Sequence, residues 1–321
     1  MAVKDQTPKP LSLLPPIDAN YKPKVSVTTL PSTAPISDVL SVLKRDGGVI
    51  LKDLVSAQEL KSIETEIEPW KELKRRDPAS GPDAFNTIPS STVLIPGLVG
   101  KSPTMASICE NETLEQLRET ILKDDFVNKR EEHDERNVIS PLLSLSIAMN
   151  IGFGAPRQRL HRDDGIHAIR HGKGEFRLDR ASQFGCLIAG CEVTRENGAT
   201  MFVPGSHKWD DDHACATPNE VCFAEMSPGS ALIFLASCYH GGGHNSVPDS
   251  QRTMYCLFFI RGTLRTEENQ FLAIPRSKAL KMSPKMLELL GYAKPPTTAL
   301  GVVDNIDPVT DIEGVLERAM A

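Results

Sequence analysis

The run Gln158-Arg159-Leu160-His161-Arg162-Asp163 sets an imidazole and a carboxylate two residues apart. On an extended segment that spacing turns both side chains to one face, where they can offer two ligands to a divalent metal. A third ligand has to come from another strand. The apolar run at residues 231–238 leads to Tyr239 and His240, and Gly241-Gly242-Gly243 follows, a turn in which bare backbone can approach a neighbour closely. Two histidines and a carboxylate form the facial triad of an O2-activating Fe(II) centre, which leaves coordination positions open. Arg252 comes twelve residues after His240. An antiparallel return would bring it back to the triad, and a fixed guanidinium grips a carboxylate through paired hydrogen bonds. The dicarboxylate 2-oxoglutarate answers to this set, with its keto-acid end on the metal and its far carboxylate on Arg252.

The same residues leave other chemistries open. His244 competes with His240 for the third position. Zinc also accepts His and carboxylate ligands, so a zinc-dependent hydrolase is an alternative, although it gives Arg252 and Gln158 no role and lacks an evident general base. His167 and His171 fall in the segment 164–180, which has no strand pattern and suits a cover over the mouth of a pocket. The sequence carries no G-x-S-x-G elbow, no H-E-x-x-H, no phosphate-binding loop and no dinucleotide fingerprint.

The elements that must position these residues are legible in outline. Short apolar, β-prone runs at 142–151, 183–193, 199–203, 221–226, 230–236 and 253–262 are separated by Gly, Pro, Asn and Asp clusters, the pattern of an antiparallel sandwich or barrel. Ahead of them, Ser37 is an expected N-cap for a helix carrying Val39, Leu40 and Leu43, which Asp46-Gly47-Gly48 stops. A short strand follows at 49–51. Ser56 then caps a second helix to about Trp70, with Leu60, Ile63 and Ile67 on one face. A third helix is expected near 113–122, and further helices near 284–290 and 311–320. Residues 74–92 read as a long loop and 123–137 as a solvated, charged connection. Seven prolines among the first 35 residues make 1–35 an extended arm.

Composition narrows the function classes. The 321 residues hold 36 Lys and Arg against 42 Asp and Glu, a net charge of −6, which disfavours non-specific binding to nucleic acid or anionic membrane. No apolar stretch approaches the length of a membrane span. Seven cysteines without a C-x-x-C pair fit a reduced compartment. With no signal-peptide pattern and no peroxisomal address, a cytoplasmic enzyme acting on a small molecule is expected.

Taken together, His161-x-Asp163, then Glu196-Asn197-Gly198-Ala199-Thr200-Met201-Phe202-Val203-Pro204-Gly205-Ser206-His207, then His240-Gly241-Gly242-Gly243-His244-Asn245, then Arg252 resemble the phytanoyl-CoA dioxygenase family of Fe(II)/2-oxoglutarate oxygenases. The likeness spans about residues 38–275. The run from Arg261 to Gln270 is similar to that of fungal members that tailor terpenoid, alkaloid and polyketide natural products. The resemblance implies a mainly β fold with helical flanks, a double-stranded β-helix or jelly roll. It would occupy 36–275 with its N-terminal helices, between the arm at 1–35 and a C-terminal helical extension at 276–321. It implies iron on His161, Asp163 and His240, the first histidine of the glycine motif being favoured over His244. Arg252 would take the distal carboxylate of 2-oxoglutarate, with Gln158 and Thr200 also toward the cosubstrate. Asn245 would hold the turn, and His207 and Trp209 would shape the following loop. The expected reaction oxidises a C–H bond of a bulky, mainly apolar molecule, by hydroxylation, desaturation or a related rearrangement. A homodimer whose residues 276–321 help enclose the partner's site is implied too. A non-catalytic jelly-roll partner or binding subunit is the remaining alternative.

Overall fold

The computed structural model describes residues 14–71, 92–295, 298–303 and 307–311. The expected loop at 74–92, apart from Thr92, and the expected helix at 311–320, apart from Asp311, lie outside these residues.

The described part of the proline-rich arm is laid along the surface. Arg157 Nε donates to Pro15 O at 2.8 Å and Tyr21 Oη to Val221 O at 2.7 Å. The arm also contributes a strand that its proline count hid: β1 (Thr29–Pro31) pairs in parallel with β2 (Gly48–Lys52). An edge strand can hold a proline because one of its sides makes no ladder bonds. Between them α1 (Ile36–Asp46) buries Val39, Val42 and Leu43. It starts from Pro35 rather than Ser37, with no side-chain cap. Gly47 ends it in the left-handed region at φ 77°, its N–H on Leu43 O at 2.8 Å, a conformation glycine adopts without strain. In α2 (Ala57–Lys71), Ser56 and Glu59 cap reciprocally: Glu59 N–H donates to Ser56 Oγ at 3.2 Å and Ser56 N–H to Glu59 Oε2 at 2.8 Å.

Beyond residue 91 come β3 (Thr92–Pro96), the short helices α3 (Leu98–Lys101) and α4 (Pro103–Cys109), and α5 (Glu112–Ile121), which Asn111 caps. The charged segment expected to be a plain connection is instead a hairpin of β4 (Asp124–Lys129) and β5 (Asp134–Ile139). It lacks an apolar period because it is mostly exposed, and cross-strand pairs such as Arg136–Asp125 and Lys129–Asp134, at 2.5 and 2.6 Å, bridge its two strands.

The remaining strands are β6 (Leu142–Gly152), β7 (Gln183–Ala189), β8 (Thr200–Phe202), β9 (Cys222–Ala224), β10 (Ala231–Leu235), β11 (His240–Gly241) and β12 (Gln251–Ile260). Seven strands form the large sheet in the order β1-β2-β10-β7-β12-β6-β3, and β11-β8-β9 form a small one. Alternation along β12 sorts its side chains to two cores. Tyr255, Leu257 and Phe259 pack with Leu43, Ile63 and Leu117 of the helical layer. Met254 and Cys256 pack with Leu187, Phe234 and, from the small sheet, Phe202 and Ala224. Each such large apolar side chain contributes about 1.5–3 kcal/mol by burial. Two facing sheets, one covered by helices, are the expected jelly roll. After β12 come α6 (Gln270–Ala273), α7 (Arg276–Ala279) and α8 (Pro284–Leu289).

Candidate metal and cosubstrate site

The segment 158–163 runs beside the glycine turn as an irregular strand. Gln158 N–H donates to Gly242 O at 2.8 Å, His161 and His240 exchange backbone bonds at 2.9 and 3.0 Å, and Asp163 N–H donates to Ala236 O at 2.9 Å. The glycines are needed there: a Cβ on Gly243 would stand 2.6 Å from Ala199 O, and one on Gly198 2.8 Å from Gly243 O. That close approach lets the small sheet and the turn hold His240 against His161.

The three side chains converge. His161 Nε2 lies 3.4 Å from Asp163 Oδ1, and His240 Nε2 lies 3.4 Å from Asp163 Oδ2. One ligand atom from each residue falls within 4.8 Å of the others. Both imidazoles are aimed from behind: His161 Nδ1 is 2.7 Å from Arg159 O, and His240 Nδ1 is 3.1 Å from Cys238 O. A carbonyl only accepts, so Nδ1 carries the proton and Nε2 presents its lone pair to the shared point. Burial alone would raise the Asp163 carboxyl, but His240 and His161 hold it well below the usual carboxylate range. Burial opposes charge on His161, yet Asp163 beside it raises its pKa. The donor set therefore fits a divalent ion of the iron type, with an anionic oxygen between two neutral nitrogens.

Arg252 is 2% exposed, and neither its Nε nor its Nη1 has a hydrogen-bond partner among the described residues. Burial pushes its pKa down to about 10, so it remains a cation at neutral pH. A buried charge without a counter-charge is unfavourable; a ligand carboxylate would supply one. Gln158 and this cation both approach Gly242. Gln158 Oε1 accepts from Gly242 N–H at 2.6 Å, and a Cβ on Gly242 would meet Gln158 Oε1 at 3.1 Å and Arg252 Nη2 at 3.7 Å. Thr200 is buried at the start of β8, on the same face as Phe202 two residues on, which pairs with His240.

The other histidines lie elsewhere. His244 Nδ1 is 2.8 Å from Ala155 O, and His244 is outside the convergent group. His171 Nε2 is 3.3 Å from Asp164. His167 is half-buried, with its Nε2 unpartnered among the described residues. His207 docks on the end of α1, Nε2 3.2 Å from Lys44 O, and burial pushes its pKa down to about 4. Asn245 Nδ2 donates to Ile151 O at 2.9 Å and holds the turn. The motifs did not single out Glu267, whose Oε1 accepts from Gln183 Nε2 at 2.9 Å and Ser144 Oγ at 3.1 Å. It lies in the run from Arg261 to Gln270, whose similarity to fungal members carried no role for this residue.

The family described as Phytanoyl-CoA dioxygenase (PhyH) matches residues 43–254. The chain is 53% identical to dioxygenase swnH1 of Arthroderma benhamiae, over 95% of this chain and 98% of that one. It is 54% identical to dioxygenase swnH1 of Metarhizium robertsii with the same coverage. Dioxygenase peniF of Penicillium patulum is 30% identical over 86% of this chain and 88% of its own. Among solved structures, HygX from Streptomyces hygroscopicus with nickel, 2-oxoglutarate and hygromycin B bound aligns with a TM-score of 0.53 at 16% identity, covering 71% of this chain and 88% of HygX. The non-heme alpha ketoglutarate dependent epimerase SnoN from nogalamycin biosynthesis aligns with a TM-score of 0.51 at 16% identity, covering 70% and 83%. These two likenesses concern the fold.

Proposed function

This chain belongs to the phytanoyl-CoA dioxygenase family, and we propose that it is a non-haem oxygenase in which His161, Asp163 and His240 hold Fe(II) while Arg252 binds the distal carboxylate of 2-oxoglutarate. The observation that carries the reading is the pair of 3.4 Å approaches of the two Nε2 atoms to separate oxygens of Asp163, with the solitary Arg252 nearby. When bound, the ferrous ion and 2-oxoglutarate supply activation of O2 and oxidation of a substrate C–H bond, with succinate and CO2 as co-products.

The chain's own residues do the positioning. The carbonyls of Arg159 and Cys238 fix the imidazole tautomers. Arg252 selects a cosubstrate that has a second carboxylate, and Gln158 holds Gly242 beside it, with Thr200 assigned to the same pocket. A zinc hydrolase would leave the Arg252 cation without a ligand. The inward-facing Leu94, Met149 and Phe258 are only half-buried against the inner core. They form an apolar wall that excludes water and suits a mainly apolar small molecule.

Dioxygenase relatives in Arthroderma, Metarhizium and Penicillium support a fungal secondary metabolite as substrate. The family match supports 36–275 as the catalytic domain with 276–321 as its extension. No helix among the described residues is long and apolar enough to cross a membrane, in keeping with a cytoplasmic enzyme. The exposed Phe271, Leu272 and Leu280 support a homodimer contact, which light scattering tests; a strict monomer removes it.

The decisive test is anaerobic titration with Fe(II) and 2-oxoglutarate. The wild type should develop the weak visible charge-transfer band, and Asp163→Ala should lose both that band and succinate formation. A variant that still binds one equivalent of iron and turns over would overturn the ligand assignment.

A further inference from the structure

A second carboxylate, Glu267, lies close enough to the triad to feel it. Its Oε1 takes both neutral donors described above, while its Oε2 accepts no hydrogen bond from a described residue. The backbone locks it in place: Glu267 N–H donates to Ser144 Oγ at 3.0 Å and Glu268 N–H to Ser144 O at 2.9 Å. Gln183, which holds Oε1, also accepts Ala236 N–H at 3.0 Å through its carbonyl, and Ala236 O in turn accepts from Asp163. Glu267 and the metal ligand Asp163 are thus joined through Gln183 and Ala236. The residue is exposed, yet burial, and after it the charge of Asp163, raise its pKa. The side chain is thus accessible and yet crowded by protein. Among the described residues, no Lys or Arg pairs with it.

We propose that Glu267 is a specificity-determining residue that anchors a cationic nitrogen of the substrate, so that this enzyme takes apolar small molecules carrying a protonated amine. This rests on the oxygenase reading for what then happens to the substrate, but not for the binding itself. A partly desolvated carboxylate with only neutral donors and a spare oxygen gains most from an ammonium N–H, because charge-assisted bonds are the strong ones and strengthen as water is excluded. Gln183 and Ser144 occupy Oε1 and leave Oε2 to the ligand. Nothing is transferred at Glu267; it orients the substrate so that the bond to be oxidised faces the metal.

The test uses two probes of nearly equal shape, cyclohexylammonium and cyclohexanol, titrated into the metal-free full chain near neutral pH by calorimetry. The wild type should prefer the ammonium by about tenfold, the value of one charged hydrogen bond over a neutral one. Glu267→Gln, which keeps the acceptor and removes the charge, should abolish the preference. Glu268→Gln should keep it, because that carboxylate faces Gly97 and Lys101 instead. Equal binding of the two probes by the wild type, or an undiminished preference in Glu267→Gln, overturns the assignment. Uptake of Fe(II) and 2-oxoglutarate is measured on the same preparations. Its absence with the ammonium preference intact would sink the oxygenase reading alone, and the reverse result would sink only this one.

Discussion

The two ends of β12 hold opposite solitary charges. At its start Arg252 lies across from Ile151, a buried cation with two of its nitrogens unpartnered among the described residues. Past its far end, where Ile260 pairs with Gln183, Glu267 presents an oxygen with no cation among the described residues to meet it. The proposed metal ligands lie between: His161 and Asp163 on the segment that runs from Gln158 beside Gly242 to Asp163 beside Ala236, and His240 across from His161 on β11. The difference lies in how completely each charge is enclosed. Arg252 is almost wholly enclosed, at 2% exposed, and calls for one particular anion, which suits a cosubstrate that never varies. Glu267 stays accessible, which suits a substrate that must enter and leave.

The sharpest way to break this comparison is to remove the enclosed cation. Arg252→Leu should raise the KM for 2-oxoglutarate by about two orders of magnitude, the usual effect of truncating one partner of a buried charge pair. Without cosubstrate the same variant should be no less stable than the wild type, and more stable by roughly 1–2 kcal/mol, because an unpaired buried charge has been exchanged for an apolar side chain. Chemical denaturation with and without 2-oxoglutarate checks both halves. A destabilised cofactor-free variant would mean that Arg252 already has a partner within the fold.

His207 offers a control, since it is a buried basic group that can shed its proton where Arg252 cannot. Its folded pKa of about 4 lies below the ordinary 6.5, so the fold holds the neutral ring while the unfolded chain takes up a proton. Its contribution is therefore complete above about pH 6.5, is lost as pH falls from there toward 4, and changes no further below, amounting to roughly 3 kcal/mol. His207→Asn should unfold with a flatter dependence on pH over that window. Equal slopes for the two proteins would show that the ring is charged in the fold.

How far each charge could be read from the sequence follows from what places it. Arg252 follows His240 through one turn into one strand, so spacing along the chain was enough. His161 and Asp163 were legible for the same reason, and the glycine motif favoured His240 over His244. Glu267 is placed by bonds to Ser144 and Gln183, 123 and 84 residues away. It depends also on an irregularity in β6, where Phe258 pairs with Leu145 but Phe259 with Leu143, leaving Ser144 as the extra residue. Nothing in a linear pattern announces such a bulge. The β4–β5 hairpin escaped for a different reason: it is mostly solvent-facing, so hydrophobic periodicity had nothing to mark.

That bulge supplies the mildest of these tests. Ser144 Oγ accepts the N–H of Glu267 and donates to its Oε1, clamping main chain and side chain together. Ser144→Ala removes both bonds and leaves a backbone N–H unpaired, so stability should fall by roughly 1–2 kcal/mol. Gln183 still holds the carboxylate from the other side, so a weakened ammonium preference should survive, whereas the KM for 2-oxoglutarate at the Arg252 end should not move. A shift in that constant would show that the two ends of β12 are coupled through the sheet rather than acting as separate grips on two different ligands.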